Sequence, residues 1–159
     1  MLNAGIVIAI VTFTISLGSF LIHPKEDIRW VKRLNLPRWL AIVEPAIPII
    51  WTVIFTCGAF SAWLVWKADP GSLKAWLLMG FYLLVEVVTV AYIPLTLRLQ
   101  SLAIGTVIGG FGAVLGYVLA IAVFPISPLA AVLLLPYLLW SPIGTYATRE
   151  LIDFNPEAI

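Results

Sequence analysis

Apolar positions along this chain come in long unbroken runs separated by brief polar interruptions. Five runs stand out, at about residues 4–22, 46–66, 75–97, 102–124 and 127–147, each near the ~20 residues with which an α-helix crosses ~30 Å of hydrocarbon. The dyad alternation of an outer-membrane barrel is missing from them. The pattern therefore predicts an all-α integral membrane protein, a five-transmembrane-helix bundle that forms a single membrane domain over residues 1–159. Polar punctuation sets the connections. Residues 23–45 make a long first loop containing Pro24, Pro37 and Pro45, whereas "KADPGSLK", "RLQS" and "FPISP" are short turns that make consecutive helices antiparallel neighbours. Pro94, Pro136 and Pro142 fall within or near the ends of spans, where each removes a backbone donor and bends its helix.

Composition agrees with a life in lipid: 62% of residues are hydrophobic and 11% charged, against about 25% charged in a soluble domain. The first run lacks the basic n-region and small-residue cleavage site of a secretory signal, so it is expected to remain as a span. Lys25, Arg29, Lys32, Arg33, Arg38, Arg98 and Arg149 share one side of the predicted topology, and only Lys67 and Lys74 take the other. That asymmetry places the N-terminus outside and the C-terminus in the cytoplasm, in the cell membrane if the source is bacterial. Trp30, Trp39, Trp66 and Trp76 sit near expected interfaces, where an indole anchors, and the basic first loop suits anionic headgroups of the bilayer.

Several chemistries are excluded. Cys57 is the sole cysteine and His23 the sole histidine, so neither an internal disulfide nor a cysteine metal site can form, and no His/Asp/Glu cluster has metal-ligand spacing. No motif for a bound cofactor, phosphate loop or nucleic-acid interface is present. Two features are positive signals. Gly105, Gly109, Gly112 and Gly116 form a small-residue stripe on the fourth span, suited to close helix packing either within the monomer or at a homodimer seam. Glu86 stands in "YLLVEVVTVAY", with Tyr82 and Thr89 within about 60° of it on a helix. A charge at that depth costs roughly 2.5–3.5 kcal/mol on insertion scales, so this face should look inward. Packing glue, ligand contact and proton relay all remain open for Glu86.

Two aromatic faces complete the candidate site. Trp51, Phe55, Gly58 and Ala62 follow helical spacing in the second span, and Tyr137, Trp140, Gly144 and Ala147 do so in the fifth. Opposed across a bundle, they would leave a flat aromatic-walled slot for a planar apolar ligand.

"IPIIWTVIF" (47–55), "LLPYLLWSPIGTYA" (134–147) and "WVKRLNLPRW" (30–39) resemble the tryptophan-rich sensory protein/translocator protein (TspO/MBR) family over nearly the whole chain. The resemblance implies five helices and a pocket under the first loop that binds porphyrins or, in eukaryotic members, sterols; some bacterial members promote light-dependent porphyrin breakdown. It implies pocket roles for Trp51 and Trp140, a wall position for Gly144, and lid positions for Pro37 and Trp39, with Leu36 where the family pattern has Lys. Glu86 stands where the family usually has a mid-bilayer Asn. The function expected is thus a membrane receptor or carrier for a tetrapyrrole or similar ligand, with Trp51, Phe55, Tyr82, Glu86, Thr89, Tyr137, Trp140, Gly144, Trp39 and Pro37 as its binding residues. The alternatives are a small proton-coupled transporter using Glu86, or a structural assembly protein whose slot is closed by packing.

Overall fold

The computed structural model describes residues 3–21 and 29–158; His23, Pro24 and Lys25 lie outside the described residues. The helices are α1 (Ala4–Leu21), α2 (Arg38–Val43), α3 (Ile47–Ala68), α4 (Leu73–Leu99), α5 (Leu102–Val123), α6 (Pro128–Leu133) and α7 (Leu135–Phe154). No strand occurs among the described residues. A 3-10 turn, Glu44–Ala46, joins α2 to α3, so Arg38–Ala68 is one helical segment of 31 residues. That segment, α4, α5 and the 27-residue segment Pro128–Phe154 are each long and apolar enough to cross a membrane. α1 is apolar but shorter on this measure, over Ala4–Gly18. Four span-like segments therefore stand where the apolar pattern predicts five.

The last segment also runs past its expected end at residue 147, because hydropathy falls there while helix-forming order does not. Arg149 and Asp153 pair at 3.1 Å across one turn and carry α7 on to Phe154. Short turns are fixed by capping: Ser72, Ser101 and Ser127 accept the backbone N–H of Ala75, Ile104 and Ala130 at 3.0, 3.2 and 3.2 Å.

Contacts close the helices into a ring, α1 on α3, α3 on α6 and α7, α7 on α5, α5 on α4, and α4 back on α1. Its apolar core includes Ile54, Val65, Leu78, Leu119 and Val123. The glycine stripe serves this ring from within. A Cβ at Gly105 would lie 2.6 Å from Thr96 on α4 and 3.2 Å from Thr148 on α7, and one at Gly109 would lie 2.8 Å from Thr145 on α7. At Gly112 it would lie 3.1 Å from the Tyr137 hydroxyl, and at Gly116 it would overlap the Tyr137 ring. The groove expected from the sequence is thus filled by α4 and α7 of the same chain.

Prolines re-route the polar backbone. Proline has no N–H, so Pro142 leaves the carbonyl of Leu138 without its helical donor, and the Tyr117 hydroxyl supplies one at 3.0 Å. The chain also breaks at Leu134, just before Pro136. Leu134 N–H turns to Ala131 O at 3.1 Å, and the carbonyl of Ala130 is taken by Ser61 Oγ at 2.7 Å. A buried acceptor in hydrocarbon must find a donor, and Ser61, wholly buried, is there to provide it.

The first loop is fastened at one end of the ring. Asn155, 1% exposed, accepts from Asn35 N–H at 2.7 Å and donates to Asn35 O at 3.1 Å and Leu151 O at 2.9 Å. Trp39 Nε1 donates to Glu150 Oε2 at 2.8 Å. Trp30, Leu34 and Leu40 pack on Leu102, Leu151 and Ala158. Trp30 and Trp39 are therefore held by the body of the protein, a tighter role than interfacial anchoring.

Candidate functional site

A cavity of about 620 Å³ lies among α1, α3 and α4, reaching α5 and the break between α6 and α7. This is within the ~300–1,000 Å³ typical of small-molecule sites. Its lining is almost wholly apolar. Small residues make the space: Gly58, Ala59 and Ala62 on α3, Ala4 on α1 and Gly80 on α4 all face it. Phe55, Tyr82 and Tyr137 provide aromatic walls, and at one end Trp66 and Trp76 meet edge-on with centroids 5.0 Å apart.

Glu86, Tyr82 and Thr89 all line the cavity, as their common helical face predicts. Thr12 of α1 donates to Glu86 Oε2 over a long 3.4 Å, and Glu86 Oε1 is buried with no hydrogen-bond partner among the described residues. Each phenol has a defined direction of donation. Ser61 has one hydroxyl proton and gives it to Ala130 O, so Tyr82, 2.5 Å from Ser61 Oγ, is the donor in that pair. Thr89 gives its proton to Val85 O at 2.7 Å, so Tyr137 donates to Thr89 at 2.9 Å. Tyr92, bonded to Thr148, donates for the same reason, because Thr148 back-bonds to Gly144 O at 2.9 Å.

The remaining expected residues lie at a different depth. Every cavity residue on α3 falls between Ile54 and Trp66, and every one on α4 between Trp76 and Thr89, which puts the cavity toward the 69–72 turn. Trp51 precedes that stretch of α3; it tilts on Phe55, centroids 5.7 Å apart, and backs the wall. Trp140 packs on the core one turn beyond Tyr137, outside the lining. Gly144 lies further along α7, and Pro37 and Trp39 belong to the fastened first loop. A pocket directly under that loop, which the family resemblance implies, is thus not where this cavity sits: helical spacing gives the face of a residue correctly but not its depth along the bundle.

Sequence reasoning missed Thr12, Ser61, Trp66 and Trp76. The two tryptophans flank the short turn after α3, and that adjacency was a readable sign that their rings would meet. Thr12 and Ser61 give no such sign, since their roles depend on which helices become neighbours.

No curated protein matches the chain. The model of the TspO/MBR family matches residues 6–152, from the first turn of α1 almost to the end of α7, and with it the apolar helices identify an integral membrane protein. The match covers most of the 159-residue chain, and this protein belongs to the TspO/MBR family.

Proposed function

We propose that this chain is a membrane receptor or carrier that holds a planar apolar ligand, a porphyrin or bilin, in the cavity lined by Phe55, Tyr82, Glu86, Thr89 and Tyr137. Membership of a family known for tetrapyrrole and sterol binding supports the reading. The observation that carries it is the 620 Å³ of open, aromatic-walled space, where an assembly protein would need a slot closed by packing. Trp51 and Trp140 act in this proposal as the layer behind the wall, and Gly144, Pro37 and Trp39 lie outside the ligand site, toward the first loop. α1 serves as a fifth span, shorter than the rest, with the N-terminus outside. Reporter fusions that place both termini on one side of the membrane would overturn that topology.

Titrating the purified protein with a porphyrin, a bilin and a sterol, followed by intrinsic tryptophan fluorescence, tests the ligand class directly. Saturable quenching by the tetrapyrroles is expected, because Trp66 and Trp76 line the site. Phe55→Ala should weaken binding about tenfold, since a ring contact is worth ~0.5–1.5 kcal/mol beyond its buried area. Trp140→Ala should change it less than about threefold. The reverse order would move the site to the first-loop half of the bundle.

A further inference from the structure

The directions of donation around the cavity restrict what its ligand can be. Tyr82 and Tyr137 line the space, yet each gives its proton to a hydroxyl behind the wall, Ser61 and Thr89. Those hydroxyls in turn give theirs to the carbonyls of Ala130 and Val85. The Thr12 proton goes to Glu86 Oε2. At the Glu86 level, with the carboxylate ionised, no O–H is left to offer a ligand. What remains is acceptor capacity: the second lone pair of the Tyr82 oxygen, since the Tyr137 oxygen is also bonded to Ser141, and above all Glu86 Oε1, buried and without a partner. A buried polar atom with no partner calls for an explanation in a missing donor.

We infer that Glu86 is the specificity-determining residue of this cavity and selects flat apolar ring systems that carry an N–H donor, while rejecting ligands that present a carboxylate at that end. The inference rests on the cavity being the ligand site. With Glu86 ionised, a carboxylate brings only acceptors into a region that has only acceptors, so neither side is satisfied and the two also repel. A neutral ring N–H or an aromatic amine cation supplies what Oε1 lacks. Thr12, held by one long bond, is the group placed to give way as the donor arrives.

Four small flat probes separate the cases: carbazole, dibenzofuran, which replaces the N–H of carbazole by oxygen, the cation 9-aminoacridine, and the anion 9-anthracenecarboxylate. Affinity is measured by calorimetric titration of the purified protein in detergent micelles, with protein-free micelles as the blank. Wild type should bind carbazole about tenfold tighter than dibenzofuran, because a hydrogen bond to a charged group is worth ~1.5–3 kcal/mol and tenfold corresponds to about 1.4. It should bind 9-anthracenecarboxylate weakest of the four. In Glu86→Leu the carbazole preference should fall to near unity. Glu86→Gln keeps a carbonyl acceptor without charge, so it should retain part of the carbazole preference and lose the preference for 9-aminoacridine. A carbazole-to-dibenzofuran ratio unchanged in Glu86→Leu overturns the inference while leaving the cavity as the ligand site. Should Glu86→Leu not fold, a 9-aminoacridine preference unchanged in Glu86→Gln overturns it equally. Failure of every probe to bind wild type removes the cavity reading, and the inference falls with it.

Discussion

Gly116→Ala is expected to lower the thermal stability of the detergent-solubilised protein by about 2 kcal/mol, although alanine is the better helix former. Two effects oppose one another. Alanine gains up to ~1 kcal/mol in helix propensity over glycine. Against that, the new methyl would overlap the ring of Tyr137, which is 7% exposed and could move aside only into the cavity it lines. Overpacking of a filled interior costs about 1–3 kcal/mol, and the upper part of that range applies when an aromatic ring must move as a block. Here the ring is also tied by its hydroxyl to Thr89 at 2.9 Å, so displacing it strains the α4–α7 connection as well. Gly144→Ala is the internal control. A Cβ there meets nothing within 4 Å, so propensity alone should act and stability should hold or rise slightly. Equal melting behaviour of the two variants would mean that the stripe does not set the α5–α7 distance.

The glycine stripe was legible in the sequence because its period is a property of one helix. Its partner was not. That α4 and α7 fill it, with Thr96, Thr145, Thr148 and Tyr137 among the opposing side chains, depends on a ring closure that no local pattern encodes. The same distinction runs through the site. Tyr82, Glu86 and Thr89 share a face by 3.6-residue periodicity, and all three line the cavity. Trp51 and Phe55 also share a face, yet only Phe55 reaches the cavity, because the space ends between them along the axis. Spacing resolves angle around a helix; depth depends on where neighbouring helices carry glycine or alanine, here at Gly58, Ala62 and Gly80. Proline marks were readable as bends but not as donors lost to particular partners, such as Tyr117 for the carbonyl of Leu138.

Asn155→Ala should release the first loop and leave the cavity untouched, and that separation distinguishes two places for the ligand. Asn155 is buried and makes three hydrogen bonds, two of them to the backbone of Asn35. Truncation removes all three together, and since the Asn35 residue is itself exposed, water can take over part of the lost bonding. A cost of about 2 kcal/mol to the docked loop is expected, toward the middle of the 1–3 kcal/mol range for an orphaned buried partner. This corresponds to roughly thirtyfold greater local opening, read as faster amide exchange at Asn35 and faster tryptic cleavage after Lys32 and Arg33. Trp39 retains its bond to Glu150, so the loop should loosen without detaching. If the ligand occupies the cavity toward the 69–72 turn, its affinity should change less than about twofold even as the loop opens. A parallel loss of affinity and loop protection would instead make the first loop a lid, and place the ligand beside Trp51, Trp140 and Gly144.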